Sequence, residues 1–245
     1  KDRIGSQIVT HYPKTVEDSK QITLDQARIT ESQKPIRVAG LLATLVEQIG
    51  VEARSSEFVD NKSGVSARLT ITAYESLVSS AELRFLKNRM DYSFARVSDL
   101  YGVVQAINGK IELVYEGEQE GPNVIAQNLI GKAIRTLFAE LFPDPGKLKK
   151  KQEGSEYSAI TAWFSQTGNL DINESASDKE YTAALSLVEG LEELVEKHHP
   201  GMKGTDKLVM MDFVLHGLAE HSLIGKSRLV AGMSFKDLFG SLLKF

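Results

Sequence analysis

The chain has 245 residues, enough for one large domain or two medium ones, each able to bury its own core. With 42% hydrophobic and 25% charged residues it has an ordinary globular composition, and its formal net charge of -4 gives no reason to expect a general nucleic-acid binder. No apolar run reaches the length of a membrane span, the N-terminus lacks a signal layout, and zero cysteines remove disulfides, thiolate zinc sites and cysteine nucleophiles, so a cytoplasmic protein is expected.

The residue pattern is helical almost throughout. "TVEDSKQITLDQARI" (15–29) offers a Thr15 cap with Asp18 three residues on, and Val16, Ile22 and Ala27 fit a modest amphipathic helix. "KPIRVAGLLATLVEQIGVEAR" opens on a proline and sets Val38, Leu41, Leu42, Leu45, Ile49 and Ala53 on one stripe. In "DNKSGVSARLTI", Gly64 breaks what precedes it, Ser66 can cap a helix, and Arg68 then falls at the second helical position. A cation there opposes the helix dipole unless an anion sits nearby, so Arg68 is either a surface arginine or a phosphate contact.

Thr72 followed by Glu75 predicts a second capping box, ahead of Leu77, Val78, Ala81, Phe85 and Leu86. "VSDLYGVVQAI" predicts a short helix with Ser98 as its cap, and "GKIELVYEGEQEG" a short strand or extended arm between Gly109 and Gly117. Ile125, Leu129, Ala133, Leu137 and Leu141 form another helical stripe, ended by the proline- and lysine-rich stretch "FPDPGKLKKKQEGS". That stretch is the candidate linker, near 143–155. Beyond it, Tyr181 to Val195, Leu208 to Leu218, and Phe235, Leu238, Phe239 and Leu242 all carry helical spacing.

Three stretches carry a resemblance to a known family. "KDRIGSQIVTHYPKT" resembles the post-sensor region of ring-forming AAA+ ATPases of the MoxR and magnesium-chelatase I-subunit type, with Asp2-Arg3, an extended run and a Tyr-Pro exit into the helical lid. Ile4 stands where that family usually has phenylalanine. "SGVSAR" is similar to the family's second-sensor motif, with Ala67 in place of the common proline, and "ARVSDLYGVVQAI" resembles its closing lid helix. The resemblance covers 1–108.

It implies the end of an AAA+ core at 1–13 and a helical lid at 14–108; beyond it the residue pattern predicts a helical C-terminal extension at 109–245 with at most a short β segment near 110–116, so the chain is expected to be mainly α. The resemblance also implies that Arg3 is the arginine finger, oriented by Asp2 and reaching the nucleotide of the next subunit, and that Arg68 is the sensor arginine. ATP and Mg2+ would be the cofactors of the full-length protein. The partners would be further copies in a homo-oligomeric ring, a hexamer, and a client protein. The phosphate-binding motif GxxxxGK[ST] does not occur in these residues, so the expectation is the C-terminal part of a larger ATPase, inactive by itself.

Other constellations point less far. His216 and His221 are five apart where a paired-histidine metal site on one helical face wants four, and His198-His199 before Pro200 reads as a helix end. No metal site is expected there. Glu112, Glu116, Glu118 and Glu120 lack a calcium-loop layout and read as a solvated acidic face, while the basic run 147–151 reads as a hydrated linker. The alternative to the ATPase reading is a helical protein-interaction module that binds no nucleotide.

Overall fold

The computed structural model describes residues 5–6, 8–146 and 155–238. Asp2, Arg3, the basic run 147–151, Phe239 and Leu242 lie outside the described residues.

Helix α1 (Val16–Gln26) begins where Thr15 Oγ1 accepts the amide of Asp18 at 3.0 Å, the expected cap. Its buried side is nevertheless polar: Ser19 and Thr23 face inward and Ile22 is exposed. The cause is Glu47, buried on α2 (Gly40–Ser55), which accepts the hydroxyls of both, that of Thr23 at 2.5 Å. Apolar side chains there would strand a buried carboxylate.

Pro35 does not open α2. Residues 36–37 instead form β1 (Ile36–Arg37), which pairs in parallel with β2 (Ser93–Phe94), and the helix starts after the extended Ala39. Leu42, Leu45, Ile49 and Ala53 are buried, as their spacing predicts. Helix α3 (Arg68–Lys87) is a single run of 20 residues, so Thr72 lies inside it and caps nothing. Glu75 accepts the amide of Arg28 at 2.8 Å, which ties the end of α1 to α3.

The helix expected over "VSDLYGVVQAI" is a 3-10 turn (Val97–Val103) that runs into α4 (Val104–Asn108). Asp99, not Ser98, holds its start by accepting the Arg96 backbone N–H at 2.8 Å. The extended arm expected near 110–116 reduces to one antiparallel bridge between Val59 and Leu113, followed by α5 (Tyr115–Glu120). Only residues 112 and 114 find backbone partners at the 58–60 segment, with Asp60 N donating to Glu112 O and Val114 N to Phe58 O. A strand needs a longer ladder than that.

Helix α6 (Pro122–Leu141) carries its proline at the first position and buries Ile125, Leu129, Ala133 and Leu137 against α2 and α10 (Gly204–Glu220). Between them in sequence come α7 (Ser158–Thr167), α8 (Asp178–Ser186) and α9 (Leu191–His198). His198 closes α9 and His199 is its C-cap, so this pair does mark a helix end.

The main departure from the sequence reading is a three-stranded antiparallel sheet in the C-terminal half. It contains β3 (Asn169–Asn173), β4 (Gly225–Leu229) and β5 (Gly232–Lys236), in the order β3-β5-β4. Phe235, grouped by spacing with a helix, is a strand residue paired with Leu170. The fold is nonetheless mainly α, as expected. Its apolar core runs without a break from Ile36 to Phe235. Among the described residues no helix is long and apolar enough to cross a membrane.

Candidate functional site

The turn before α3 is built by a chain of local hydrogen bonds. Asp60 accepts the backbone N–H of Lys62 and the Ser63 hydroxyl, both at 2.9 Å, and these bonds, that from Lys62 first, hold its carboxyl below the usual value. Gly64 takes the left-handed conformation (φ +70°) that a side chain would strain. Val65 is then buried, and Ser66 Oγ accepts the Arg68 backbone N–H at 3.2 Å. Arg68 is thus the first residue of α3, one position earlier than expected, with Ser66 still serving its amide.

The Arg68 side chain is exposed and has no ion pair or hydrogen bond among the described residues. It lines a cleft of about 400 Å³ together with Gly64, Lys110, Glu112 and Tyr12. Lys110 was not singled out by the sequence, although Gly109-Lys110 follows directly on α4. The one Ser63 hydroxyl proton is shared between Asp60 and Glu112, 2.9 and 2.5 Å away, so Glu112 keeps its charge and forms the acidic side of this cleft. The cationic side, Arg68 and Lys110 at the positive end of α3, is open. Such an arrangement suits an anion with several oxygens.

Two of the three family-like stretches meet here. Tyr12, from "HYP", accepts the backbone N–H of Val65 at 3.1 Å across 53 residues, and the Arg54 guanidinium lies 4.5 Å from its ring centroid. The segment that follows Arg3 in sequence is therefore docked on the turn that presents Arg68.

The third stretch packs at the other end of α3. Arg84 forks onto both carboxylate oxygens of Asp99 at 2.7 and 2.9 Å, with side-chain exposures of 3% and 7%. Beside this pair, Arg96 donates to Asp178 at 2.8 Å and its guanidinium lies 4.2 Å from the Tyr181 ring centroid. Val97 N donates to Asp212 at 3.1 Å. This buried ionic network joins the 96–99 turn to α8 and α10, and sequence spacing carried no sign of it.

Burial pushes the Asp212 carboxyl up to about 6, only partly opposed by the Tyr181 hydroxyl, the Val97 N–H and the Arg96 charge. His216 lies one helical turn on, 3.6 Å from Asp212, and is held well below the ordinary value by burial and then by Lys226. His216 and His221 are kept apart from any ligand set: among the described residues no three His, Asp or Glu come together to hold a metal ion. The acidic run is split, with Glu116, Glu118 and Glu120 on α5 and Glu112 at the Arg68 cleft.

No protein-family model matches the chain, no curated protein matches its sequence, and no solved structure matches its fold.

Proposed function

We propose that this chain is the C-terminal portion of a ring-forming AAA+ ATPase of the MoxR or magnesium-chelatase I-subunit type. It would act in the cytoplasm, coupling ATP hydrolysis to the remodelling of a client protein or to metal insertion. One observation carries the reading: Arg68 stands unpaired among the described residues at the exposed start of α3, in a cleft shared with Tyr12 of the segment that leads back to Arg3. A surface arginine alone would need neither the built turn nor the docked tyrosine.

Phosphoryl transfer spreads charge over the γ-phosphoryl oxygens, and a guanidinium already positioned against them stabilises that state. Arg68 and Lys110, which line this cleft together, would face the terminal phosphate of a nucleotide. Bound Mg2+ would neutralise the phosphate charge, held by residues upstream of those described here. Ser66 and Gly64 hold the start of α3 so that the arginine points outward. Arg3 would act across the interface on the neighbouring subunit's nucleotide, in a homo-oligomeric ring.

The test is Arg68→Ala in the full-length protein. Hydrolysis should fall far more than nucleotide affinity, because the arginine acts on developing charge while ground-state contacts come mainly from elsewhere. Equal losses in both, or no loss, would leave Arg68 an ordinary surface residue.

A further inference from the structure

On the other side of the 3-10 turn from the Arg84–Asp99 pair, a cleft of about 370 Å³ opens between α6, the end of α10 and β4. Its α6 wall is one polar stripe, Asn128, Lys132 and Arg135, on the helix whose other face fills the core. Lys226 of β4 enters from across the cleft, and Phe58 and Tyr101 supply two aromatic walls. The Lys226 ammonium lies 5.7 Å from the Tyr101 ring centroid.

Against these cations the cleft sets a single carboxylate, Glu220, already bound to Lys226 at 2.5 Å. It is fixed in place by Gly131: a Cβ there would lie 2.7 Å from Glu220 Oε2, so the carboxylate rests directly on the α6 backbone. Lys132 and Arg135 have no ion pair among the described residues. A chain of net charge -4 has thus gathered cations from two elements into one concavity, where they set up a positive potential that an anion would meet. The positive field reaches the histidines behind the cleft: after burial, Arg135 helps to hold His221 neutral, and Lys226 does the same for His216.

We propose that this cleft is a binding site for a small aromatic anion, a single ring bearing a carboxylate or phosphate, with the anionic group between Lys132 and Arg135 and the ring against Phe58 and Tyr101. The planar fork of Arg135 matches either oxyanion bidentately, and Lys132 adds a point charge. Ring faces favour an aromatic body over a bare ion. A volume near 370 Å³ sits at the small end of ligand pockets and holds one ring with its substituent. This site shares no residue with the Arg68 cleft and does not rest on the ATPase reading.

The probes are phenyl phosphate, benzoate and inorganic phosphate, titrated into the chain at low salt by NMR and calorimetry. The expectation is saturable binding of at least one aromatic probe, with shifts at Phe58, Tyr101 and Asn128, and at least tenfold weaker binding of inorganic phosphate. Benzoate binding as the tighter of the two identifies a carboxylate ligand, phenyl phosphate a phosphorylated one. Arg135→Ala and Lys132→Ala, both at exposed positions, should leave the urea midpoint unchanged and each weaken the aromatic probe about tenfold, the loss typical of a charge-assisted contact. Arg68→Ala should leave it unchanged. The proposal is overturned if no aromatic probe saturates by millimolar concentration, if inorganic phosphate binds as well as the tighter aromatic probe, or if Arg68→Ala removes binding while Arg135→Ala does not.

Discussion

Asp212 offers a direct reading of what the buried network costs. Its carboxyl is buried on α10, and its value rises from the ordinary 3.8 to about 6. At 1.36 kcal/mol per pH unit, that rise corresponds to roughly 3 kcal/mol of penalty on the ionised form in the folded state. The folded value lies above the unfolded one, so the folded chain holds its proton more tightly. Above about pH 6 the penalty is present in full; it shrinks as pH falls toward 4, and below that both states are protonated and it vanishes.

Asp212→Asn removes the charge and keeps an acceptor for the Val97 N–H. The rise to about 6 is already net of the attraction to Arg96, so the gain should be about 1 to 3 kcal/mol at pH 7.5, the lower end applying where the amide packs less well than the protonated acid. Urea denaturation of both proteins at pH 7.5, 6 and 4.5 checks this. The difference between them isolates Asp212 from every other titrating group, and it should shrink toward zero at the lowest pH. If the asparagine variant is instead less stable at pH 7.5, the ionised carboxylate is a net stabiliser of Arg96 and the desolvation argument fails.

Arg84→Met leaves the Asp99 carboxylate buried without its partner and should cost about 3 to 5 kcal/mol in the same assay, with Arg84→Met/Asp99→Leu recovering most of the loss. Gly217→Ala places a Cβ 2.0 Å from Phe138 Cδ2 in a fully buried contact, so a loss of about 2 kcal/mol or more in chemical denaturation is expected. If the proposed ATPase reading holds, Arg3→Ala in the full-length protein should lower hydrolysis by roughly 10³ to 10⁵, the range for an arginine finger. A covalently linked dimer of that variant with a phosphate-loop mutant should recover part of the activity, and wild-type hydrolysis by assembled Arg3→Ala rings would remove Arg3 from the mechanism.

Much of the helical skeleton was legible because it is written locally. The stripe of Leu42, Leu45, Ile49 and Ala53, that of Ile125 to Leu137, and the Thr15 cap each depend on residues within a turn or two of one another. The turn presenting Arg68 is equally local, since Gly64 and Ser66 act on their immediate neighbours. The short strands were hidden for the opposite reason. "NLDIN", "GKSRL" and "GMSFK" are five residues each, too short for alternation to stand out, and only pairing across the sheet makes them strands. The same holds for the 112–116 stretch, whose β-like composition was overridden once its ladder stopped at a single bridge and α5 began. Tertiary structure alone decided which charges meet. Arg96 finds Asp178 82 residues away, Val97 finds Asp212 across 115, Tyr12 reaches the Arg68 turn across 53, and Lys226 faces the Lys132 stripe from another element. A charged side chain has no periodicity that announces a distant partner, so its role is settled only when folding buries it and leaves no water to take the partner's place.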